Sequence, residues 1–232
     1  MQDCYKLLNV GDVRKDEASI IEVLTAIKNN KLTNDLRLLN YYKEVPVSFG
    51  AAIDYIDRDV VEMTVHQLQA TSMLSQNITL LKSRHFKHDV LAKVFKVRRE
   101  SNIVFLTQFA YVQILSERRS NVRVQVTEKV AAAFQCSKKL LSGTLDNISI
   151  AGAVILAREE NWIEENAKGT LSLSLPGGGL DVHARFLRVL GDSASRKYVF
   201  ELETDSKSEG IISKYIFQVQ GDIIRELKDI DL

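Results

Sequence analysis

Two short polar segments in the second half of this chain carry the residues best suited to chemistry. The first, RRSNVR, runs from Arg118 to Arg123, and the second, DNISIAG, runs from Asp146 to Gly152. An arginine fork donates two parallel hydrogen bonds to the O6 and N7 edge of guanine and forms bidentate bonds with phosphate. The arginines therefore suit both ends of a guanine nucleotide.

The second segment adds neutral polar groups to these charges. A period of two in an extended segment puts Asn147 and Ser149 on one face. Ile148 and Ile150 would then point to the other face, toward a core. We expect the amide and the hydroxyl to meet a ligand, and Gly152 to let the backbone turn closely there.

Each segment alone has an ordinary explanation. The arginines could form a solvated basic linker paired with Glu117 and Glu128. The second segment could be a strand end with turn-forming residues. The order of the two segments, separated by about one hairpin, favours a shared binding site.

Together the segments resemble the signatures of the PilZ family, whose domains bind the bacterial messenger cyclic di-GMP (c-di-GMP). The first family signature, R-x-x-x-R, is met by Arg119 and Arg123. The second, D/N-x-S-x-x-G, is met by Asn147, Ser149 and Gly152. The resemblance implies that the arginine loop folds over a barrel face and that these residues clamp the ligand.

Three neighbouring residues are further candidates. Arg118 directly precedes the first signature, and by resemblance a basic residue there favours a stacked pair of ligand molecules. Asp146 adjoins the second signature and could instead cap the turn with its carboxylate. Trp162 could stack on a base, although packing on the barrel end is the simpler interpretation.

The first half of the chain predicts one helix and a set of strands. Apolar residues over Asp16 to Asn30 follow a helical period, with an acidic start. The strands predicted after it are Leu36 to Tyr42, Val45 to Ile56, Val60 to Val65, Ile78 to Leu81, Val90 to Val97 and Ile103 to Gln113. We expect a β-rich domain over residues 1–114, which resembles the split barrel that precedes the ligand-binding barrel in flagellar-brake PilZ proteins.

The second half predicts a small barrel over residues 124–232, with residues 115–123 as the linker. Its strands are predicted at Val130 to Cys136, Leu140 to Asn147, Ala153 to Ala157, Gly169 to Leu175, Val182 to Leu190 and Lys197 to Thr204. Pro176 to Gly179 predicts a hairpin turn. Glu209 to Leu227 predicts a helix after the six-stranded PilZ barrel, and its apolar surface could also seed a homodimer or dock a target protein. The fold class is mainly β, with two barrel-like domains.

Composition limits the competing functions. The formal net charge of +1 gives no strong field for nucleic acid or an anionic membrane. Cys4 and Cys136 have no metal or redox spacing, and His85 and His88 lack further ligands for zinc. No segment is apolar for eighteen residues, so we expect a cytoplasmic protein without membrane insertion.

The sequence therefore predicts a receptor for c-di-GMP that is not an enzyme and needs no cofactor or metal. Because the arginines lie on the predicted linker, ligand binding could reorient the two domains and signal through an unidentified protein target. Motility, exopolysaccharide or biofilm formation, and gene regulation are all compatible outputs. The alternatives are a PilZ-fold interaction module that binds no nucleotide and a small-barrel binder of nucleic acid; the near-neutral charge disfavours the second.

Overall fold

A computed structural model describes residues 5–115, 121–137, 139–157, 163–191 and 196–230. Contacts divide these residues into two compact units. The first unit comprises residues 5–42, 46–115 and 225–230, and the second comprises residues 43–45 and the described residues between 121 and 224. The predicted linker, 115–123, includes residues 116–120 outside the described ranges, so its bounds stay a prediction.

The first unit begins with the predicted helix, α1 (Val13–Lys28). It starts three residues earlier than predicted because Asp12 caps it: the Asp12 side chain accepts a 3.0 Å hydrogen bond from the Lys15 amide. Asp16 lies in the first turn, as predicted, and it is buried: its carboxylate accepts hydrogen bonds from two preceding backbone amides. The helix buries an apolar stripe of Ile20, Leu24 and Ile27 against the sheet of its unit.

The strands of the first unit form one eight-stranded sheet in the order β3-β2-β6-β7-β8-β5-β4, with β1 paired to β8. The strands are β1 (Tyr5–Leu7), β2 (Arg37–Tyr42), β3 (Val45–Gly50), β4 (Ala52–Asp57), β5 (Val60–Thr64), β6 (Ile78–Lys82), β7 (Asp89–Arg98) and β8 (Ile103–Ile114). The single strand predicted over Val45 to Ile56 is two strands. The extended run is interrupted at Ala51, whose backbone amide donates a hydrogen bond to the Leu36 carbonyl.

A second helix in this unit, α2 (Gln67–Leu74), was not predicted. Five of its eight residues are buried, and three of these are polar: Gln69, Thr71 and Ser72. A helix that buries polar side chains has no apolar period, so the sequence pattern gave no signal for it.

The second unit is a closed barrel followed by a helix. Its strands are β9 (Arg123–Gln125), β10 (Ala131–Cys136), β11 (Lys139–Ser149), β12 (Gly152–Ala157), β13 (Lys168–Leu175), β14 (Gly178–Leu190) and β15 (Arg196–Glu203). Six strands in the order β10-β13-β14-β15-β12-β11 close through a β10–β11 pairing. The helix α3 (Ser206–Asp229) extends the predicted helix by a few residues at each end.

The long strand β11 has two partners along one edge. Its first half pairs with β10 and its second half with β9, while its other edge pairs with β12. The barrel therefore closes only along the first half of β11. The second half holds the second polar signature between β9 and β12.

Two glycines let the barrel close. A Cβ on Gly143 would lie 2.2 Å from the Leu156 carbonyl oxygen, and one on Gly169 would lie 2.1 Å from the Gln135 carbonyl oxygen. Both distances are far below contact, so any side chain would push neighbouring strands apart. The predicted turn after β13 is confirmed: Leu175 pairs with Gly178, which has a φ of +128°.

Candidate nucleotide-binding site

Three motif residues lie side by side in neighbouring strands at one end of the barrel. Arg123 on β9 is the direct antiparallel partner of Ser149 on β11. Ser149 is also the direct partner of Gly152, which begins β12. Because directly opposed residues project from the same face of a sheet, the two signatures meet on one surface.

Asn147 continues this surface by one step along β11. It pairs with Gln125 of β9, two residues from Arg123. Ile148 lies between the two polar residues of β11 and is fully buried. The predicted alternation of outward Asn147 and Ser149 with inward Ile148 is therefore confirmed by the strand register.

Two details of the prediction are wrong. Ile150 lies in the turn between β11 and β12 and is not an inward strand residue. Ser149 is only 5% exposed, although it was expected to lie open to a ligand. Ser149 lies between β9 and β12, and its hydroxyl donates a 3.2 Å hydrogen bond to the Gly152 carbonyl within the hairpin.

Gly152 lies in a tightly packed position and does not adopt a positive φ in this turn. A Cβ at this position would lie 3.1 Å from the Phe200 carbonyl oxygen on β15 and 3.7 Å from the Ser149 hydroxyl. Glycine therefore lets β12 and β15 approach at the end of the hairpin, beside the polar surface.

Asp146 does not cap the turn. It is the extra residue of a β-bulge, where the register with β12 shifts between Leu145 and Asn147. Its carboxylate, 8% exposed, forms a salt bridge with Lys197 of β15, at 3.0 Å from Nζ to the nearer oxygen. It also accepts a 3.0 Å hydrogen bond from the Asn147 amide.

A further ion pair extends the same row of the sheet. Gly152 is opposite Glu201 on β15, and Glu201 is opposite Arg185 on β14. The Arg185 guanidinium donates to the Glu201 carboxylate through two nitrogen atoms. Sequence reasoning missed Lys197, Glu201 and Arg185, because only the pairing of distant strands brings them to the motif.

Gln125 was not predicted as a site residue either, although the sequence pattern indicates its position. The period of two that relates Asn147 to Ser149 also relates Arg123 to Gln125. Extending that rule to β9 would have placed its side chain on the same face. Arg118, Arg119 and Trp162 lie outside the described residues, so their part in the site stays a prediction.

Metal binding and membrane spanning each require a particular arrangement of residues. Within those ranges, no group of three or more His, Cys, Asp or Glu side chains is arranged to hold a metal ion. His85 lies 3.1 Å from the Thr33 carbonyl oxygen, and His88 packs edge-on to Tyr111. No helix among the same residues has the length and apolarity needed to cross a membrane.

Solved structures with similar chains include YcgR of Escherichia coli in complex with c-di-GMP, with 10% identity, a TM-score of 0.46, and coverage of 99% of this chain and 98% of that one. The K. pneumonia MrkH–c-di-GMP complex has 10% identity, a TM-score of 0.46, and coverage of 90% and 96%. The Bacillus subtilis inhibitor of motility MotI/DgrA has 12% identity, a TM-score of 0.45, and coverage of 81% and 95%. A search of curated proteins finds no match.

The family comparison bears directly on the site. Residues 117–218 match the family model for the PilZ domain. This range contains both polar signatures and, up to the first part of α3, the barrel that positions them. The match confirms the PilZ domain predicted from the sequence: residues 117–218 of this chain form a PilZ domain.

Proposed function

We propose that this chain is a receptor for c-di-GMP, which binds where β9, β11 and β12 meet. One observation carries the proposal: Arg123, Ser149 and Gly152 are consecutive partners across three strands. These residues come from both PilZ signatures, and the PilZ match spans both. The family resemblance supplies the ligand, since PilZ domains bind c-di-GMP.

The chemistry of the surface suits a guanine dinucleotide. Arg123 offers a planar fork for a phosphate or for the acceptor edge of guanine. Asn147, one step along β11, adds an amide next to it. By resemblance, Arg119 is the second arginine of the clamp and Arg118 supports a stacked ligand pair. The function is recognition, so the proposal assigns no reaction to the chain.

Binding of c-di-GMP would act by changing a contact between this chain and a protein partner. Because the arginines of the first signature lie on the predicted linker, a ligand that holds them would restrict the connection between the domains. A change of arrangement follows only if the ligand binds one arrangement more tightly than the other. Small-angle scattering with and without c-di-GMP tests this step, and identical profiles at saturation contradict it.

We propose α3 as the element that contacts the partner. Phe217 is 79% exposed, and Ile224 follows seven residues later on the same face of the helix. Burying these two side chains against a target protein or a second copy would remove their apolar surface from water. Motility and biofilm formation are the outputs that we propose for such a contact.

Isothermal titration of c-di-GMP into the full chain tests the binding function. The double variant Arg119→Ala, Arg123→Ala removes both arginines of the first signature, and Arg14→Ala removes an exposed arginine of α1 as a control. We expect tight binding by the wild type and the control, and its loss in the double variant. Two ligands per chain would support a stacked pair at Arg118. A folded wild-type protein that binds no c-di-GMP would overturn the proposal and favour a PilZ-fold interaction module.

A further inference from the structure

The side-chain amide of Asn147 is held by its neighbours in one orientation. Its Nδ2 donates a 3.0 Å hydrogen bond to Oδ2 of Asp146. Nζ of Lys197 lies 3.0 Å from the same oxygen, Oδ2, and 3.3 Å from Oδ1 of Asp146. Because Asp146 is the bulge residue, it and Asn147 project from the same side of β11 and can meet in this way.

Electrostatics fix which amide atom faces the carboxylate. Turning the Asn147 amide over would place its carbonyl oxygen against the oxygen of Asp146, and two acceptors repel each other. Asp146 is 8% exposed and already paired with Lys197, so it stays in place as an acceptor. The amide of Asn147 therefore keeps its NH₂ group toward Asp146.

This orientation leaves the other end of the amide without a partner. Among the described residues, Oδ1 of Asn147 is buried and accepts no hydrogen bond. A buried polar atom that stays unpaired destabilises a protein, and each such atom in a native structure calls for an explanation. Oδ1 belongs to the residue that opens the second PilZ signature, one step along β11 from Ser149 and Arg123.

We propose that Asp146 and Lys197 are positioning residues, which hold the Asn147 amide so that Oδ1 accepts a hydrogen bond from an N–H group of the bound nucleotide. This inference rests on the proposed c-di-GMP site. It assigns a role to two residues outside the PilZ signature.

The inference predicts an unusual relationship between positions 146 and 147. An aspartate at 147 has acceptors at both oxygens and needs no orienting partner, but beside Asp146 it would place two carboxylates in contact. In the wild type, removing Asp146 frees the Asn147 amide to turn. In the Asn147→Asp variant, the same change removes the repulsion between the two carboxylates. Each single change should therefore weaken binding, whereas the two changes together should restore it.

The test is titration of c-di-GMP into four proteins: the wild type, Asp146→Ala, Asn147→Asp and the double variant. We expect about tenfold weaker binding in each single variant, the upper range for one hydrogen bond, and a return to within about threefold of the wild type in the double variant. Thermal unfolding checks that each barrel is folded. A double variant weaker than both single variants overturns the inference, as does unchanged binding by Asp146→Ala.

Should Asp146→Ala not fold, Lys197→Gln tests the same point by removing the charge that holds the carboxylate. It should weaken binding of c-di-GMP by about fivefold, the upper range for an ion pair at a protein surface. Unchanged affinity in this variant overturns the inference. An effect on stability alone, with affinity preserved, marks the Asp146–Lys197 pair as structural only.

A measurement without ligand separates this inference from the proposed function. Nitrogen-15 relaxation of the side-chain amides should show a rigid Asn147 amide in the wild type and a mobile one in Asp146→Ala. Asn34, whose amide donates to the Ala51 carbonyl in the other unit, is the control and should not change. An Asn147 amide with the same mobility in both proteins overturns the inference. A rigid amide in a wild type that binds no c-di-GMP overturns the proposed function and leaves only the positioning of Asn147 by Asp146.

Discussion

Arg123 and Ser149 are direct antiparallel partners across the β9–β11 pair. The two residues belong to different signatures and lie 26 positions apart in the sequence, and the pairing of two strands brings them to one surface. A ligand that contacts one of these residues is within reach of the other. The first prediction follows from this relationship.

Arg123→Ala should weaken c-di-GMP binding by about 1.5 to 3 kcal/mol, because it removes charge-assisted hydrogen bonds. Arg123→Lys keeps the charge but loses the planar fork, so it should recover only part of that loss. Titration calorimetry measures both variants. Full recovery by lysine would show that Arg123 acts only as a point charge.

Ser149→Ala should have a smaller effect, about 0.5 to 1.5 kcal/mol for a neutral hydrogen bond. The Ser149 hydroxyl also holds the hairpin through the Gly152 carbonyl, so chemical denaturation should be measured alongside the affinity. Threonine at this position keeps the hydroxyl and is the matched control. Wild-type affinity in Ser149→Ala would exclude its hydroxyl from the contact.

Gly143→Ala should lower the free energy of unfolding by at least about 1 to 3 kcal/mol, because the added methyl group overlaps the Leu156 carbonyl. Gly177→Ala is the matched control, since a Cβ there meets nothing within 4 Å. Urea denaturation measures both variants. Equal stability in the two would contradict the close approach of β11 and β12 that the barrel requires.

Asn40→Ala should lower the free energy of unfolding of the first unit by about 2 to 4 kcal/mol, because it leaves several buried groups unpaired. The Asn40 side chain is 3% exposed, and its amide contacts three other side chains: Gln69, Gln76 and Thr79. Asn77→Ala, at an exposed position, is the control and should cost less than about 0.5 kcal/mol. A similar small loss in both variants would contradict the buried network.

Asp205 makes the stability of α3 depend on pH. The Ser208 hydroxyl, and secondly the Ser208 backbone amide, donate hydrogen bonds to its carboxylate and hold the pKa of Asp205 below its ordinary value of 3.8. Its stabilisation is therefore complete above that value and is lost as the pH falls through the lowered pKa.

Asp205→Asn keeps an oxygen for the cap but does not titrate. Its stability relative to the wild type should rise as the pH falls from 7 to about 3, as measured by thermal unfolding. Glu209→Gln, in the first turn of the same helix, is the control for removal of one carboxylate. A constant difference between Asp205→Asn and the wild type across this range would contradict the assignment.

Much of this fold follows from the sequence pattern. The strand ranges were predictable because polar and apolar residues alternate and turn residues separate them, as at Pro176 and Gly177 before β14. Helix α2 was not predictable, because it buries polar residues such as Gln69.

The motif residues of the site could be predicted from the sequence. The residues that surround them in the fold could not. Local alternation places Asn147 and Ser149 on the outer face, and the structure agrees. The partner of Asp146 depends on a bulge in β11 and on Lys197 two strands away, neither of which a local pattern encodes. The burial of Ser149, which lies between β9 and β12, likewise depends on the pairing of strands.

The central claim is that c-di-GMP binds at the corner formed by β9, β11 and β12. Titration of the ligand into nitrogen-15-labelled protein, followed by backbone amide shifts, tests it most directly. The account predicts the largest shifts at Arg123 and over Asn147 to Gly152, and their loss in Arg123→Ala. Ligand-dependent shifts confined to other strands of the barrel, or none at all from a folded protein, would contradict it.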